Sequence, residues 1–249
     1  MTADTIRTVI LAGGKGQRLG AQDQPKPLTP INGRPVIEHV MAIFARQGFR
    51  DFTIATGHQG QAIADYVTTQ TRRPTGLWQN DWRVTCHDTG EDTATGGRLL
   101  KLRDRLGDEL GTAPFFLTWA DGLADIDLAA LLAFHRGHGR MASVTAVYPP
   151  PRFGHLDMAG NRVTAFAEKP VQREGRINGA FFVMEPGVIN LIDDTATVLE
   201  HAPMQRLVEQ GQLMAYRHDG FWQCMDTPAE AERLDGMARA GDAPWLAGP

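Results

Sequence analysis

The sequence predicts an α/β domain built on a three-layer, mostly parallel sheet, with a smaller β-rich region in its second half. In the first half, short apolar runs alternate with stretches of helical spacing, a pattern typical of parallel strands connected by helices. After Pro149-Pro150-Pro151 the pattern changes, because strand-like segments follow one another across a turn. The 249 residues fit one large domain, and no linker divides them into independent halves.

Hydrophobic spacing locates the elements of the first half. The predicted strands are short apolar or alternating runs, namely Arg7–Leu11, Phe52–Thr56, Pro114–Trp119 and Ala142–Tyr148. The first three stop at glycine-containing turns, as buried strands commonly do. Apolar residues at helical intervals predict helices over Pro35–Gln47, Gln61–Thr69 and Asp127–His138.

Turn and capping signals locate the elements of the second half. Ala159-Gly160-Asn161 predicts a hairpin between His155–Met158 and Arg162–Ala167. Thr227-Pro228-Ala229-Glu230 combines an N-cap, a proline at the first helical position and a capping-box glutamate, which predicts a helix from Pro228 to about Ala240. The remaining elements are a strand and two helical stretches, at Ile177–Met184, near Gly187–Asp194 and at Pro203–Gln210.

The charge balance argues against some classes of partner. Lysine and arginine number 25 against 29 aspartates and glutamates, which leaves a net charge of −4. This mild acidity argues against nucleic acid or an anionic membrane as the main partner. The chain starts without the pattern of a signal peptide, and charges interrupt every apolar segment before about 18 residues. We therefore expect a soluble, cytoplasmic protein that binds neither nucleic acid nor membrane.

Cysteines and histidines are not spaced for metal binding or a disulfide framework. Cys86 and Cys224 are the only cysteines, and no CxxC is present. The eight histidines lack metal-ligand spacing, so His135 and His138 are expected on solvated helix faces. Cys224 is expected to serve as a small buried packing residue.

The strongest local signal is a glycine-rich segment, Leu11-Ala12-Gly13-Gly14-Lys15-Gly16-Gln17-Arg18-Leu19, followed by Gln24-Pro25-Lys26-Pro27-Leu28. Three glycines after a first strand allow backbone N–H groups to approach a polyphosphate. Arg18 and Lys26 supply fixed positive charge where negative charge builds up. A dinucleotide fingerprint would need glycine at position 19, where Leu19 stands. A P-loop would need Ser or Thr after Lys15, where Gly16 stands. Neither motif is therefore present in this segment. The alternative is a plain glycine turn with a solvated lysine and arginine.

Two aspartates are candidates for a metal site. Asp121 ends an apolar strand, and Asp226 precedes the capped helix. Carboxylates at such positions are well placed to converge on Mg²⁺ at the carboxyl edge of a sheet. The alternatives are a plain turn aspartate for Asp121 and a helix cap for Asp226, although Thr227 supplies a better cap.

The glycine-rich segment with its Pro-Lys-Pro resembles the signature of the sugar-1-phosphate nucleotidyltransferases, and the similarity extends along nearly the whole chain. Further motifs follow in the family's order: Asp88-Thr89-Gly90, Thr95-Gly96-Gly97-Arg98, Asp121-Gly122, Pro151-Arg152-Phe153-Gly154, Glu168-Lys169-Pro170, Ile177-Asn178-Gly179, Gly220-Phe221-Trp222-Gln223 and Met225-Asp226-Thr227. Together they resemble the cytidylyl-transferring branch of this family, which makes CDP-glucose. One departure is Ala120, where the family commonly has glycine.

The resemblance implies a fold, an activity and a cofactor. It implies a Rossmann-like, GT-A-like fold and transfer of a cytidylyl group from CTP to a sugar 1-phosphate, most simply glucose 1-phosphate. It implies Mg²⁺ as cofactor, held by Asp121 and Asp226, and a homo-oligomer. Residues 1–148 would form the nucleotide-binding half, 149–226 the sugar-phosphate half, and 227–249 the C-terminal helix and tail.

The resemblance also assigns site residues. Lys26 and Arg18 would be catalytic. The nucleotide would be bound by Leu11, Gly13, Gly14, Gly16, Gln17, Thr89, Thr95, Gly96 and Arg98. The sugar phosphate would be bound by Glu168, Lys169, Asn178 and Gly179. Lys169 would supply a point charge to the phosphate. Gly179 lies inside a predicted strand, and a glycine there indicates either close approach of a hexose or a β-bulge.

Segment 88–98 is the candidate for reading the base, because backbone groups of a glycine-rich loop can offer both donors and acceptors to cytosine. Within it, Arg98 has three possible targets: the base, the triphosphate or the sugar phosphate. Trp222 is open between stacking on a sugar and packing in the core.

Three other functions stay open at this stage. One is a nucleotidyltransferase that uses another nucleotide or another phosphorylated sugar or alcohol. Another is a glycosyltransferase, although Asp121 and Asp125 do not have the spacing of a DxD motif. The third is a non-catalytic nucleotide-sugar sensor, although Lys26, Asp121 and Asp226 are all retained.

Overall fold

A seven-stranded sheet forms the centre of the molecule. The computed structural model describes residues 6–16, 24–103, 113–150, 155–167 and 175–247. In chain order the strands are β1 (Arg7–Ala12), β2 (Pro30–Ile31), β3 (Arg34–Pro35), β4 (Asp51–Thr56), β5 (Arg83–Asp88), β6 (Phe115–Trp119), β7 (Gly122–Ala124), β8 (Ala142–Val147), β9 (His155–Ala159), β10 (Arg162–Ala167), β11 (Ile177–Met184), β12 (Leu213–Arg217) and β13 (Trp222–Cys224).

The helices lie largely where hydrophobic spacing and capping predicted them. They are α1 (Val36–Arg46), α2 (Gly60–Arg72), α3 (Thr95–Lys101), α4 (Leu128–His138), α5 (Ala202–Glu209), α6 (Pro228–Arg239) and α7 (Pro244–Ala247). The stretch near Gly187–Asp194 is instead a 3₁₀ helix, Pro186–Leu191. The predicted hairpin is confirmed, since β9 and β10 pair antiparallel.

The sheet is mostly parallel, as predicted, with strand order β12-β8-β11-β6-β1-β4-β5. Strand β1 pairs in parallel with both β4 and β6, and β4 pairs in parallel with β5. The exception is β11, which runs antiparallel to β6 and β8. Because β6, β1, β4 and β5 run in one direction, the segments that follow them meet at one edge of the sheet.

Successive residues of β1 enter different apolar clusters, as expected for a strand buried on both faces. Ile10 and Ala12 belong to the cluster that contains Val40 and Phe44 of α1. Val9 and Leu11 belong to the cluster that contains Leu99 of α3 and Leu207 of α5. Helices thus cover both faces of the sheet, which confirms the predicted three layers.

The prediction of a solvated helix face is wrong for His135, whose exposed fraction is 1%. It lies one turn after Leu131 and Leu132 on the buried face of α4. Its Nδ1 lies 2.9 Å from Ser143 Oγ, and its Nε2 lies 3.2 Å from Glu185 Oε1. His138 Nε2 lies 2.7 Å from the same Ser143 hydroxyl. The helical spacing of His135 with Leu131 and Leu132 is the signal that indicates its burial.

These histidines give a pH dependence of stability. Burial lowers the pKa of His135 and His138 below that of an exposed histidine. The unfolded chain therefore takes up protons first on acidification, and the stability present above about pH 6.5 is lost below it. We expect the free energy of unfolding to fall by at most about 1.4 kcal/mol per pH unit per histidine. Urea unfolding between pH 7.5 and 5.5 measures the slope, and a slope unchanged in His135→Asn would contradict this origin.

Candidate active site

The glycine-rich loop follows β1 at the carboxyl edge of the sheet. Gly16 has a φ of 59°, in the left-handed region where glycine is favoured. A Cβ added to Gly16 would lie 3.0 Å from the Cβ of Lys26. Glycine at this position therefore lets the loop lie directly against the stem of Lys26.

Lys26 joins the two candidate metal ligands. Its Nζ donates to Asp121 Oδ2 at 2.5 Å and to Asp226 Oδ1 at 2.7 Å. All three side chains are mostly buried, with exposed fractions of 14%, 23% and 20% for Lys26, Asp121 and Asp226. Lys26 begins a short 3₁₀ turn after Pro25, whose restricted backbone fixes the start of the side chain.

A short antiparallel strand pair brings the two aspartates together. Strand β7 follows Asp121 and pairs with β13, which precedes Asp226, with Gly122 opposite Cys224. The N–H of Met225 donates to Asp121 O at 3.0 Å. This pairing explains how residues far apart in the sequence share one cation.

The capping box of α6 holds Asp226 from the other side. Glu230 Oε2 accepts from the N–H groups of Asp226 and Thr227 at 2.8 and 2.9 Å. Thr227 Oγ1 accepts from the Glu230 N–H, so Thr227 is the N-cap, as the sequence predicted. The carboxylate of Asp226 is thereby left to face Lys26.

The charges in this cluster favour a bound cation. Burial alone would lower the pKa of Lys26, but Asp121 and Asp226 outweigh it and raise that pKa above its ordinary value. The ammonium thus sits where two carboxylates can share a positive charge, and carboxylate oxygens are the ligands that Mg²⁺ prefers. Among the described residues, no group of three or more acidic, histidine or cysteine side chains forms a fuller cage. Mg²⁺ commonly takes its remaining ligands from water and substrate phosphates, so this pair fits it.

A cavity of about 420 Å³ opens beside the cluster. It is lined by Leu11, Ala12, Gly14, Lys15, Gly16, Lys26, Pro27, Trp119, Ala120, Asp121 and Asp226. The structure therefore brings the glycine-rich loop, Lys26 and both aspartates to a single concave surface. Such a surface can hold an anionic ligand between backbone N–H groups and a fixed cation.

Arg98 lies behind the glycine-rich loop rather than on the cavity wall. Its guanidinium donates to Gly13 O at 2.8 Å, Thr56 O at 2.9 Å and Thr89 Oγ1 at 2.6 Å. Burial lowers the pKa of Arg98, while Asp88 opposes that change. Thr89 is buried as well and donates its hydroxyl to Thr56 O at 2.6 Å.

The sequence matches the Nucleotidyl transferase family over residues 7–227. The chain belongs to the nucleotidyl transferase family. A glucose-1-phosphate cytidylyltransferase of Salmonella typhimurium is 39% identical, with 96% of this chain and 98% of that protein covered. A mannose-1-phosphate guanyltransferase of Pichia angusta is 32% identical, with 93% of this chain and 63% of that protein covered.

Solved structures agree with the fold of this nucleotidyl transferase. HddC from Yersinia pseudotuberculosis superposes with a TM-score of 0.73 at 20% identity, covering 94% of this chain and 99% of that one. A UDP-glucose pyrophosphorylase from Acinetobacter baumanii superposes with a TM-score of 0.69 at 17% identity, covering 92% of each chain. The Rossmann-like fold that the sequence predicted is confirmed. Within the described residues of this nucleotidyl transferase, no helix is long and apolar enough to cross a membrane.

Two residues predicted to bind nucleotide, Thr95 and Gly96, contact the segment before α5 in this nucleotidyl transferase. Thr95 Oγ1 donates to Glu200 Oε2 at 2.6 Å and accepts from the Leu199 N–H. A Cβ on Gly96 would lie 2.7 Å from Thr197 O. Thr95 and Gly96 thus join α3 to the segment before α5, a contact between distant segments that local sequence did not reveal.

The pairing of β11 with β8 contains a register shift between Asn178 and Phe182, which is a β-bulge or a similar irregularity. Asn178 Oδ1 accepts from the Ala180 N–H at 2.8 Å, and Ala180 has a φ of 61°. Trp222 Nε1 donates to Gly179 O at 2.7 Å and secures the bulge. A Cβ on Gly179 would lie 2.7 Å from Val147 Cγ1, so glycine lets β11 approach β8 closely at this position.

Among the other residues singled out in the sequence, Cys224 is described by the structure, whereas four predicted binding residues are not. Cys224 is half-buried, and burial together with Asp226 raises the pKa of its thiol to about 12. The predicted residues Gln17, Arg18, Glu168 and Lys169 lie outside the described residues. Lys15 and Trp119 line the cavity but were not predicted to bind, although Lys15 lies inside the glycine-rich motif itself.

Proposed function

We propose that this chain transfers the cytidylyl group of CTP to a sugar 1-phosphate, most simply glucose 1-phosphate, and releases pyrophosphate. The main support is the cluster in which Lys26 Nζ lies within 2.7 Å of Asp121 and Asp226, beside the glycine-rich loop. Choice of CTP and glucose 1-phosphate is supported by the relative at 39% identity that carries this activity in its name.

The mechanism we propose is in-line attack by a phosphate oxygen of the sugar 1-phosphate on the α-phosphate of the nucleotide. The attacking oxygen is already an anion, so the chain need not supply a general base. Its residues must instead hold two anions together and neutralise the charge that grows in the transition state. Lys26 would contact the α-phosphate, and the N–H groups of Gly14 and Gly16 would bind the triphosphate.

Asp121 and Asp226 would hold Mg²⁺ in this mechanism. When bound, the ion supplies charge neutralisation at the phosphate oxygens. Because Lys26 bridges the same carboxylates in the structure, its ammonium would leave them as it moves to the phosphate. Arg18, Gln17 and Leu11 would complete the nucleotide site, whereas Glu168, Lys169, Asn178 and Gly179 would bind the sugar phosphate.

The relative at 39% identity, which is named for cytidylyl transfer, supports selectivity for cytosine. The loop that includes Thr89 would read the N4 amino group and the N3 and O2 acceptors of cytosine. A buried site of paired polar groups rejects the mismatched analogue, because donors would face donors. We expect kcat/KM for CTP to exceed that for UTP, ATP and GTP by at least about a hundredfold. Competition assays with mixed nucleotides measure this ratio, and equal use of UTP would contradict it.

A nucleotidyltransferase of other specificity is the second candidate. This candidate is supported by the relative at 32% identity, which is named for guanyl transfer to mannose 1-phosphate. The same competition assay separates the two, because preferential use of GTP would support this alternative.

We also propose a cytoplasmic homo-oligomer, assembled through the hairpin of β9 and β10. Three of its apolar side chains are unusually exposed, with fractions of 57%, 48% and 66% for Met158, Val163 and Phe166. Apolar patches of this kind are typical of protein interfaces. Within each chain, residues 1–148 would form the nucleotide-binding half and residues 149–226 the sugar-phosphate half.

The hairpin contact predicts a change in assembly. Phe166→Lys combined with Val163→Lys should shift the molar mass in light scattering to that of a smaller species, because charge is introduced into an apolar contact. Val208→Lys is the matched control, since Val208 is 63% exposed on α5. An unchanged molar mass for the double variant would contradict the hairpin contact.

A further inference from the structure

Arg98 is buried, with an exposed fraction of 3%, and its partners are oxygens of the protein itself. Nη1 lies 2.9 Å from Thr56 O, 2.6 Å from Thr89 Oγ1 and 3.0 Å from Gly90 O. Nη2 donates to Gly13 O at 2.8 Å. A buried guanidinium is stable only when its donors are satisfied, and these contacts link three segments. They are the glycine-rich loop, the end of β4 and the turn after β5.

Two glycines show how tightly the backbone closes on this guanidinium. A Cβ on Gly13 would lie 2.1 Å from Arg98 atoms, and a Cβ on Gly57 would lie 2.4 Å from them. Gly57 does not have the left-handed φ that favours glycine, so the close approach of Arg98 is what restricts this position. The Arg98 guanidinium thus fills the space beside Gly13 and Gly57, and a side chain at either position would collide with it.

Helix α3 presents a second cation to the same turn. Lys101 lies three residues after Arg98, on the same face of the helix. Its Nζ donates to Thr89 O at 2.8 Å and to Thr93 Oγ1 at 3.0 Å. Segment 89–93 is therefore held from one helix by two fixed side chains.

We propose that Arg98 is a positioning residue, which fixes the glycine-rich loop against the turn after β5. The triphosphate end and the base end of the nucleotide would then meet one rigid surface. This inference rests on the proposed function, in which these two segments bind the two ends of CTP. The planar fork of arginine suits the task, because it reaches oxygens on different segments at once, whereas lysine is a point charge.

Arg98→Lys separates positioning from direct contact with phosphate. Lysine keeps the charge, so a residue that simply attracts phosphate would keep most of its effect. A positioning role predicts that KM for CTP rises about tenfold or more, and that preference for CTP over UTP falls by a similar factor. KM for glucose 1-phosphate should change by less than about threefold, since the glycine-rich loop and the turn after β5 are proposed to bind the nucleotide.

Gly57→Ala tests the same link without removing Arg98. Its methyl group should displace the guanidinium, and we expect the same rise in KM for CTP and the same loss of selectivity. Gly137→Ala is the matched control, because nothing lies within 4 Å of a Cβ there. If Arg98→Lys fails to fold, Gly57→Ala decides the question. Wild-type KM and wild-type selectivity in a folded Arg98→Lys or Gly57→Ala variant would overturn the proposal.

Hydrogen exchange of the nucleotide-free protein supplies a readout that does not depend on turnover. We expect amides in residues 13–16 and 89–93 to exchange faster together in both variants, and to be unchanged in Gly137→Ala. Unchanged exchange in both segments would overturn the positioning role. If the wild-type protein shows no turnover with CTP, the proposed function fails, while this measurement still tests the link between the loops.

Discussion

Lys26→Ala is expected to lower kcat by at least about a hundredfold while the fold is kept. The Pro-Lys-Pro backbone fixes the start of the Lys26 side chain, and its ammonium is proposed to contact the α-phosphate, where charge grows during the reaction. Steady-state kinetics at saturating CTP and glucose 1-phosphate measure the loss. Arg239→Ala is a suitable control, because it removes a cation that is 69% exposed and pairs with Asp235 at the surface.

The same variant should respond differently to Mg²⁺ in a thermal melt. Without Lys26, Asp121 and Asp226 face each other with their shared cation removed, and such like charges destabilise the fold. Mg²⁺ should therefore raise the Tm of Lys26→Ala more than it raises the Tm of the wild type. A kcat within about threefold of wild type in the folded variant would rule out the assigned role.

Asp121→Asn and Asp226→Asn are each expected to lower kcat/KM by about a hundredfold or more and to raise the Mg²⁺ concentration needed for half-maximal rate. The amide keeps the shape of the side chain and an acceptor for Lys26, so the fold should survive. The double variant should be little worse than either single one, because residues that act as a unit give non-additive losses.

Magnesium titrations of the single and double variants test this pair. Asp81→Asn is the matched control, since Asp81 is 57% exposed and pairs with Arg50 away from the cavity. Wild-type magnesium dependence in both single variants would contradict a shared metal site. Fully additive losses would show instead that the two carboxylates act independently.

Local signals predicted much of the fold. The capping box of Thr227 and Glu230, and the turn at Gly160, are decided by neighbours in the sequence, and both were predicted correctly. Strand β5 was not predicted, because its residues lie at the edge of the sheet and are largely unburied, so its apolar signal is weak. His135 was wrongly expected to be solvated because its residue type was weighed above its place in the leucine pattern.

The sequence predicted which residues form the candidate site, but it did not predict how they contact one another. Lys26, Asp121 and Asp226 were all chosen from the sequence, but nothing local indicated that one ammonium would join carboxylates 95 and 200 positions away. That contact depends on the pairing of β7 with β13, which is long-range. The hydrogen bonds of Arg98 likewise depend on loops from three strands meeting at one edge, so its position behind the glycine-rich loop was not predictable.

Product analysis tests the central claim most directly. The wild-type protein is incubated with CTP, Mg²⁺ and glucose 1-phosphate, and both CDP-glucose and pyrophosphate are quantified. Cytidylyl transfer predicts that the two products form in equal amounts, and that neither forms when either substrate is omitted. Absence of pyrophosphate with all four nucleoside triphosphates, across a panel of phosphorylated sugars and alcohols, would contradict the account and favour a non-catalytic sensor.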